Sequence, residues 1–206
     1  ARILCASPEC FVSVQNGEVK TKPIKGTRPR GSDAQQDRLL AEDLRSHPKD
    51  RAENLMIVDL LRNDLGKSCV PGSVRVPELF KVESFANVHH LVSTVEGRLA
   101  AGRDALDVLR DCFPGGSVTG APKLRAMQII EQLEPDRRGI YCGAIGYVGF
   151  DGNMDTCLAI RTMVGRGRTV SVQAGAGIVA DSDPATEFQE TVNKASAMLS
   201  AIDIAE

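Results

Sequence analysis

Two stretches near the start of the chain alternate between apolar and polar residues, as β-strands with one buried face do. They are residues 2–6 and 11–22, and Asn16-Gly17 divides the second stretch. Because Asn-Gly favours the two-residue turn of a β-hairpin, the second stretch is predicted to fold back on itself. Further strands are predicted at residues 73–76, 79–85, 88–95, 139–149, 154–164 and 169–174.

Apolar residues also recur at helical spacing in the first half of the chain. Ser32-Asp33 can cap a helix that runs to about Ser46, and Pro48 can open a second helix that ends near Gly66. The buried face of the second helix is predicted to comprise Leu55, Val58, Leu61 and Leu65.

Three more helices are predicted in the second half. They cover residues 104–111, a segment from Pro122 that closes before Pro135, and a final segment that starts at Asp183-Pro184. The final helix carries an apolar face with a helical period, formed by Phe188, Val192, Ala195, Leu199 and Ile202.

Two segments follow neither period. Residues 23–31 hold two prolines, two glycines and three cations, which predicts a rigid, basic loop. Residues 113–120 predict a second loop. Because the strand-like stretches outnumber the helices and follow one another in hairpin-like runs, the fold class is predicted to be α+β.

The composition excludes some classes of protein but does not identify a function. The chain has 206 residues, enough for one sizeable domain, and 25 Lys plus Arg against 27 Asp plus Glu leave a net charge of −2. No basic excess is available for nucleic acid, and no apolar run reaches the roughly 20 residues that cross a bilayer. We therefore expect neither a nucleic-acid partner nor a membrane association.

The six cysteines are widely spaced, and none belongs to a CxxC pair. This spacing argues against a zinc ribbon or a redox dithiol and favours free thiols in a reducing compartment, so a cytoplasmic location is expected. The chain begins at Ala1 and leads directly into a strand-like segment. We therefore expect a piece of a longer protein that lacks its N-terminal portion.

Two acidic pairs are candidates for metal binding. Asp50 and Glu53 are three residues apart on the second helix, and Glu187 and Glu190 have the same spacing on the last helix. If the two helices converge, four carboxylates would form an oxygen-ligand site suited to Mg²⁺. The alternative is two solvated helix faces, which is the usual role of such pairs.

Lys25 is a candidate nucleophile. It lies between Pro23 and Gly26, and Lys22, Arg28 and Arg30 are close to it in sequence. Positive charge nearby favours the neutral amine, which is the nucleophilic form of lysine. Such a loop would equally suit an anionic substrate, and the simpler alternative is a basic surface turn.

Two glycine motifs are not nucleotide-binding motifs. After Gly120, a phosphate-binding loop needs Lys and Ser or Thr, where this chain has Ala121-Pro122. Residues 175–180 match the GxGxxA pattern of a dinucleotide motif, but the helix that should follow directly is delayed past Asp183. Both remain places where a ligand carboxylate could approach a helix start or a bare backbone.

His89 and His90 are neighbours in a predicted strand, so their side chains point to opposite faces. One is expected in the interior and the other towards solvent. An interior histidine is more often a hydrogen-bonded core residue than a catalyst.

Eight short motifs, taken together, resemble those of the chorismate-utilising enzymes, and they occur in that family's order over nearly the whole chain. They lie at residues 7–9, 23–29, 53–64, 88–93, 116–123, 153–156, 173–179 and 187–191. The resemblance implies an α+β sandwich of two β-sheets with outer helices. Residues 1–206 would be the C-terminal part of a single catalytic domain, incomplete at the N-terminus and inactive or dependent on the missing segment.

The resemblance also implies a reaction. Anthranilate-forming members have Ala where this chain has Lys25, and the lysine form resembles the branch that aminates chorismate at C4 for p-aminobenzoate and folate synthesis. The product would be 4-amino-4-deoxychorismate, with ammonia supplied by a glutamine amidotransferase partner. Anthranilate-forming or isochorismate-forming activity on the same fold is the alternative, and a non-catalytic binding fragment is a third reading.

The resemblance assigns roles to the acidic residues and the lysine. Glu9 would be the general acid at the C4 hydroxyl, and Lys25 would add at C2 as a covalent intermediate. Glu53 and Glu190 would be the primary ligands of Mg²⁺, with Glu187 and Asp50 in an outer position. Seven further residues would bind substrate: His90, Ser117, Tyr141, Arg161, Gly175, Gly177 and Lys194.

Overall fold

The computed structural model describes residues 1–205, which form ten strands and six helices. The strands are β1 (Arg2–Cys5), β2 (Cys10–Gln15), β3 (Glu18–Thr21), β4 (Ile24–Pro29), β5 (Arg75–Ser84), β6 (Val88–Arg98), β7 (Ala144–Val148), β8 (Met154–Leu158), β9 (Thr162–Arg166) and β10 (Thr169–Val172). The helices are α1 (Ala34–Ser46), α2 (Pro48–Leu65), α3 (Ala105–Cys112), α4 (Gly116–Thr119), α5 (Lys123–Leu133) and α6 (Pro184–Ala205).

The strands form two antiparallel sheets, so the predicted α+β class is confirmed. In the larger sheet β6 pairs with β5 along one side, and with β4 and then β3 along the other. The sheet continues from β3 through β2 and β8 to β7 at its edge. The smaller sheet has the order β1-β9-β10, and neither sheet closes on itself.

Local turn and cap signals are confirmed. Asn16 and Gly17 have φ angles of 51° and 79°, and Gln15 pairs with Glu18 across this two-residue turn. The Asp33 carboxylate accepts hydrogen bonds from the first backbone N–H groups of α1. Helix α2 starts at Pro48 and ends at Leu65, before Gly66.

The predicted loop at residues 23–31 is wrong over most of its length, because residues 24–29 form β4. This strand pairs with β6, which lies about sixty residues further along the chain, and sequence periodicity cannot show such a partner. The register shifts between Ile24 and Thr27, so Lys25 and Gly26 form a bulge. Pro29 is the last residue of the strand, where a missing N–H disturbs the ladder least.

Three other predicted boundaries need correction. Residues 73–76 and 79–85 were expected to form separate strands, but a single strand, β5 at residues 75–84, covers most of both, and its bulges interrupt the alternation. Residues 154–164 contain two strands, β8 and β9, in different sheets. The expected loop at residues 113–120 includes the single helical turn α4. No helix within residues 1–205 combines the length and the apolar character that would cross a membrane.

The core lies between α2, α3 and the larger sheet. Ile57, Val58, Leu61 and Leu65 of α2 are buried there, whereas Leu55, predicted on the same face, is 44% exposed. The rest of the cluster comes from the sheet, from α3 and from the connections: Phe11, Val12, Val14, Val19, Cys69, Val95, Ala105, Val108, Cys112, Met154 and Leu158.

The predicted apolar face of α6 is not buried. Phe188 is 70% exposed, and Val192 and Leu199 are also exposed. The residues that α6 buries most deeply are Glu187 and Met198. A helical period identifies an apolar stripe but not its partner, and in the described residues nothing packs over this one.

A buried ion pair joins α2 to the start of α5. Asp64 is 1% exposed, and its carboxylate lies 2.5 Å from Lys123 Nζ and 2.9 Å from Lys67 Nζ. Lys123 also donates to the carbonyl of Cys112 at 2.8 Å. The pair therefore fixes the segment between α3 and α5, which contains α4.

Replacement of Asp64 by Asn should lower the free energy of unfolding by about 3 kcal/mol, because it leaves the Lys123 ammonium without its buried partner. Urea denaturation would measure this loss. The matched control is Asp59→Asn on the same helix. The Asp59–Arg62 pair is more than half exposed on both sides, so its loss should change the stability by about 0.5 kcal/mol or less. Equal effects of the two substitutions would contradict the structural role of Asp64.

Candidate active site

Residues from five parts of the chain converge beside the bulge of β4. They come from the segment before β2, from β4 itself, from α4, from the segment after β10 and from the N-terminal half of α6. Glu9 lies in the segment before β2. A hydrogen bond from Ser117 and the charges of Lys25 and Lys194 act to lower its pKa, against the effect of burial. The bulge thus brings together residues that are more than 180 positions apart in sequence.

Lys25 reaches across the site from the bulge. Its Nζ donates to the backbone carbonyl of Ser117 at 3.3 Å. A Cβ atom at Gly177 would lie 3.8 Å from the same Nζ, so the backbone of this glycine passes close to the amine. The positive charge of Lys25 opposes the rise in the pKa values of Glu9 and Glu53. The amine of Lys25 is therefore surrounded by the carboxyl groups of Glu9 and Glu53 and by the backbone of Ser117 and Gly177.

The three cations close to Lys25 in sequence each form an ion pair with a carboxylate. Lys22 lies 2.8 Å from Glu83, and Arg30 lies 2.7 Å from Asp37. Arg28 lies 2.6 Å from Asp43 and also contacts Asp50. Each cation is thus paired with a carboxylate from another element of the fold.

Glu9 is a buried carboxyl group, with 7% of its surface exposed. Burial raises its pKa, although a hydrogen bond from Ser117 and the charge of Lys25 act in the opposite direction. Its backbone is held on both sides, since its N–H donates to Ser7 Oγ and its carbonyl accepts from the Leu158 N–H. A carboxyl group that keeps its proton to higher pH is suited to act as an acid.

Carboxylates of α2 and α6 face the same region. Burial raises the pKa of Glu53, the charges of Asp50 and Glu190 raise it further, and those of Lys25 and Lys49 act against the rise. The charges of two helices therefore act on one carboxyl group, as the predicted convergence requires. An acidic group next to other carboxylates is stabilised in its charged form when a cation binds.

The other three carboxylates are already paired with protein groups. Asp50 contacts Arg28 at 3.1 Å and His47 at 3.0 Å. Glu190 pairs with Lys194 at 2.5 Å, one helical turn away. Glu187 is buried, accepts from Ser182 Oγ at 2.7 Å and lies 3.5 Å from Lys49.

The described residues contain no group of three or more His, Cys, Asp and Glu side chains close enough to hold a metal ion. The donor set still fits Mg²⁺ in chemistry, because it consists of carboxylate oxygens on two facing helices. In this arrangement lysines and an arginine neutralise the carboxylates that the sequence suggested as ligands.

Lys49 is a site residue that sequence reasoning missed. It pairs with Glu187 of α6, and its charge also acts on Glu53. It lies four residues before Glu53 on α2, so both side chains are on one helix face. This four-residue spacing is the sequence signal that could have identified Lys49 as a site residue.

Four of the expected substrate-binding residues lie together on and beside α6. Lys194 Nζ donates to the carbonyl of Gly175 at 3.1 Å. A Cβ atom at Gly175 would lie only 3.2 Å from the Tyr141 hydroxyl, so this position favours glycine. Burial is the main cause of the raised pKa of Tyr141. Arg161, at a φ of 50°, donates to the carbonyl of Lys194 at 3.1 Å.

The two histidines face opposite sides of β6, as expected. His89 is buried and bonds to Ser84 at 2.8 Å and to Asp37 at 3.0 Å, which is a structural role. His90 is half-buried and bonds to Thr27 Oγ1 at 2.9 Å. Burial lowers the pKa of His90, and the charge of Arg161 lowers it further, so the histidine belongs to the same electrostatic region as the site.

The fold agrees with what comparison with known proteins finds. The family described as chorismate binding enzyme matches residues 1–200, and the chain belongs to this family. It is 56% identical over 205 residues to anthranilate synthase component 1 of Aquifex aeolicus, covering 100% of this chain and 42% of that protein. It is also 56% identical over 201 residues to aminodeoxychorismate synthase component 1 of Klebsiella aerogenes, covering 98% of this chain and 45% of that protein.

A solved structure shares the fold. Anthranilate synthase component I from Streptococcus pneumoniae TIGR4 superposes with a TM-score of 0.86 at 49% identity, covering 95% of this chain and 43% of that one. The chain therefore spans less than half the length of these relatives. Relatives with two different reactions match equally well, so overall similarity does not select between them.

The raised pKa of Glu9 makes a prediction about stability. The folded state holds the proton more tightly than the unfolded chain, whose carboxyl group has an ordinary pKa of 4.5. The stability that this proton contributes is complete below that pH and is lost as the pH rises through the folded-state pKa. Since Glu9→Gln cannot ionise, the variant should gain thermal stability relative to the parent chain as the pH rises from 4 to 8, measured by circular dichroism.

The control for this measurement is Glu131→Gln, an exposed residue of α5. Its stability difference from the parent chain should not rise in the same way. A parallel pH profile for both variants would show that burial of Glu9 is not the cause.

Proposed function

We propose that the protein aminates chorismate at C4 to form 4-amino-4-deoxychorismate, with ammonia delivered by a glutamine amidotransferase. The observation that carries this proposal is the amine of Lys25, which lies at the Ser117 carbonyl and within the electrostatic reach of buried Glu9. This pairs a nucleophile with an acid in one site. The resemblance of residues 23–29 to the aminating branch of the family supports the same choice.

In the first step, protonated Glu9 gives its proton to the C4 hydroxyl, which leaves as water. The lone pair of the Lys25 amine forms a bond to C2, both ring double bonds move one position along the ring towards C4, and the C4–O bond breaks. The nitrogen of the adduct then carries the positive charge of a secondary ammonium. Burial of Glu9 favours this step, because it keeps the acid protonated to higher pH. The result is a covalent adduct on Lys25.

In the second step, ammonia attacks C4, both double bonds shift back, and the bond between C2 and Lys25 breaks. Lys25 leaves as a neutral amine. The new ammonium group gives a proton to the Glu9 carboxylate, so both residues return to their starting states. The net change replaces the C4 hydroxyl by an amine and releases one water.

Chorismate is a dicarboxylate, and this chain supplies several groups suited to its recognition. Arg161 and Lys194 carry the positive charge, and an Arg guanidinium can hold a carboxylate through two parallel hydrogen bonds. Tyr141, Gly175 and Gly177 line the same side of the site. We assign Glu53 and Glu190 as the residues that would hold Mg²⁺, which would neutralise a substrate carboxylate; Glu187 and Asp50 would support them from outside.

The second candidate function is anthranilate synthesis, in which ammonia attacks C2 directly. It is favoured by the 56% identity to a relative of that name, which equals the identity to the aminating relative. In the first reaction the side-chain amine of the protein attacks C2, and in the second reaction ammonia attacks C2. Lys25 is therefore the residue that distinguishes them.

Product identification tests the choice. We expect 4-amino-4-deoxychorismate from chorismate, Mg²⁺ and ammonium when residues 1–206 replace the matching segment of the Klebsiella aerogenes relative, with the isolated chain assayed in parallel. In this chimera Lys25→Ala should abolish that product and divert residual turnover to anthranilate. Chromatography of the products, with anthranilate detected by its fluorescence, measures both.

The covalent step has its own measurement in the same experiment. Without ammonia, intact-mass analysis should find a chorismate-derived adduct on the parent chimera and none on Lys25→Ala. The control is Lys22→Ala, which removes a nearby amine paired with Glu83 and should leave the adduct intact. Anthranilate or isochorismate as the main product of the parent chimera would refute the proposed reaction. Full turnover to the same product by Lys25→Ala would remove the lysine from the mechanism.

The assignment of Mg²⁺ makes a separate prediction. Glu190→Gln should weaken Mg²⁺ binding at least tenfold in calorimetry, because it removes one carboxylate charge from the ligand set. Asp203→Asn, an exposed residue near the other end of α6, is the control and should bind as the parent does. Unchanged affinity in Glu190→Gln would show that Glu190 is not a ligand.

A further inference from the structure

Two cysteines from different sheets meet close to Glu9. Cys5 is the last residue of β1 in the smaller sheet, and Cys157 belongs to β8 in the larger one. Their Sγ atoms are 4.0 Å apart, although 152 positions separate them in the sequence. Cys5 is exposed and Cys157 is partly buried, so an oxidant in solution can reach the pair.

The other four cysteines are placed differently. Cys69, Cys112 and Cys142 are buried. Cys10 is partly buried and lies opposite Cys157 in the register of β2 and β8. Burial raises the pKa of Cys10 to about 11, so it keeps its proton and reacts slowly.

We propose that Cys5 and Cys157 are a redox modification site, which a peroxide converts into a reversible disulfide between the two sheets. In the first step the Cys5 sulfur attacks one peroxide oxygen: an S–O bond forms, the O–O bond breaks, and one water leaves. In the second step the Cys157 sulfur attacks the resulting sulfenic acid: the S–S bond forms, the S–O bond breaks, and a second water leaves. Two thiols and one hydrogen peroxide thus give one disulfide and two waters.

The order of these steps follows from the surroundings of the two thiols. Burial raises the pKa of the Cys157 thiol, and the neighbouring Cys5 raises it further. Cys157 is also the less accessible of the two thiols, so the exposed Cys5 reacts with peroxide first. Cys157 then acts as the resolving thiol at contact distance, which is the arrangement that protects a sulfenic acid from further oxidation.

The disulfide would bear directly on the segment that carries Glu9. A disulfide has an S–S distance of about 2.05 Å, so the two sulfur atoms must approach each other by about 2 Å. The Thr162 hydroxyl, now 3.2 Å from Cys5 Sγ, would lose this contact or follow the sulfur. Ser7 and Glu9 follow Cys5 in the chain, and Leu158 next to Cys157 binds the carbonyl of Glu9, so both ends of the cross-link adjoin the backbone of the acid.

The test is peroxide treatment of the reduced chain with stoichiometric hydrogen peroxide, followed by mass spectrometry. The expected result is a loss of two hydrogens from the intact mass and a cross-linked peptide that joins Cys5 to Cys157, both reversed by dithiothreitol. Cys157→Ser should leave a sulfenic acid on Cys5 that dimedone traps, and Cys5→Ser should give neither cross-link nor adduct. Cys10→Ser is the matched control and should form the cross-link as the parent does.

Two outcomes would overturn the proposal. One is a cross-link that persists in Cys5→Ser, since Cys10 would then be the partner of Cys157. The other is oxidation of Cys5 to the sulfinic acid in the parent chain without any disulfide, since Cys157 would then be unable to resolve it. Circular dichroism of each variant before treatment ensures that folded protein is compared.

Discussion

The bulge in β4 is the constraint on which the arrangement of the site depends. Gly26 in this bulge has a φ of 89°, and a Cβ atom there would lie 2.9 Å from Asp50 on α2 and from Leu44 on α1. A side chain at this position would therefore push both helices away from the strand. With glycine, β4 fits closely against them, and the extra residue in the register directs Lys25 towards Ser117. The packing of the helices and the direction of the amine thus have one cause.

The charges of the site are balanced within the protein. Burial makes ionisation of Glu9 and Glu53 less favourable, and lysines from α2, α6 and β4 offset part of that cost. Lys49 connects α2 to α6 through Glu187, so a cation of the protein already stands between the two acidic helices. A bound divalent ion would compete with this lysine for the same carboxylates.

Local signals in the sequence predicted local structure well. The Asn16-Gly17 turn, the Asp33 cap and the Pro48 start depend on interactions within a few residues, and all three are present. The strand at residues 24–29 was missed because its hydrogen-bonding partner lies far along the chain. The division of residues 154–164 between two sheets was missed for a related reason, since strand-forming residues continue across the point where the chain changes sheet.

The sequence indicated candidate members of the site but not the contacts that each of them makes. The motifs at residues 7–9, 23–29 and 187–191 indicated which residues to examine, and the structure brings Glu9, Lys25 and the acidic helices together. It also places carboxylates next to each cation that was expected to activate Lys25, because those partners come from α1, α2 and β5. Ion pairs between elements that are distant in sequence determine the electrostatic surroundings of the site. A short segment of sequence does not show these pairs.

Strand β6 has hydrogen-bonded neighbours on both sides, with β5 along one edge and β4 followed by β3 along the other. Its amide protons should therefore be among the last to exchange with solvent, since exposing them requires the whole sheet to open. Lys25, the proposed nucleophile, belongs to β4, which is hydrogen-bonded to β6. The apolar stripe of helix α6 is exposed to solvent, so detaching this helix from the rest of the protein costs less free energy. Local unfolding of α6 would therefore move Glu190 away from the site and back again, while Lys25 on β4 keeps its position.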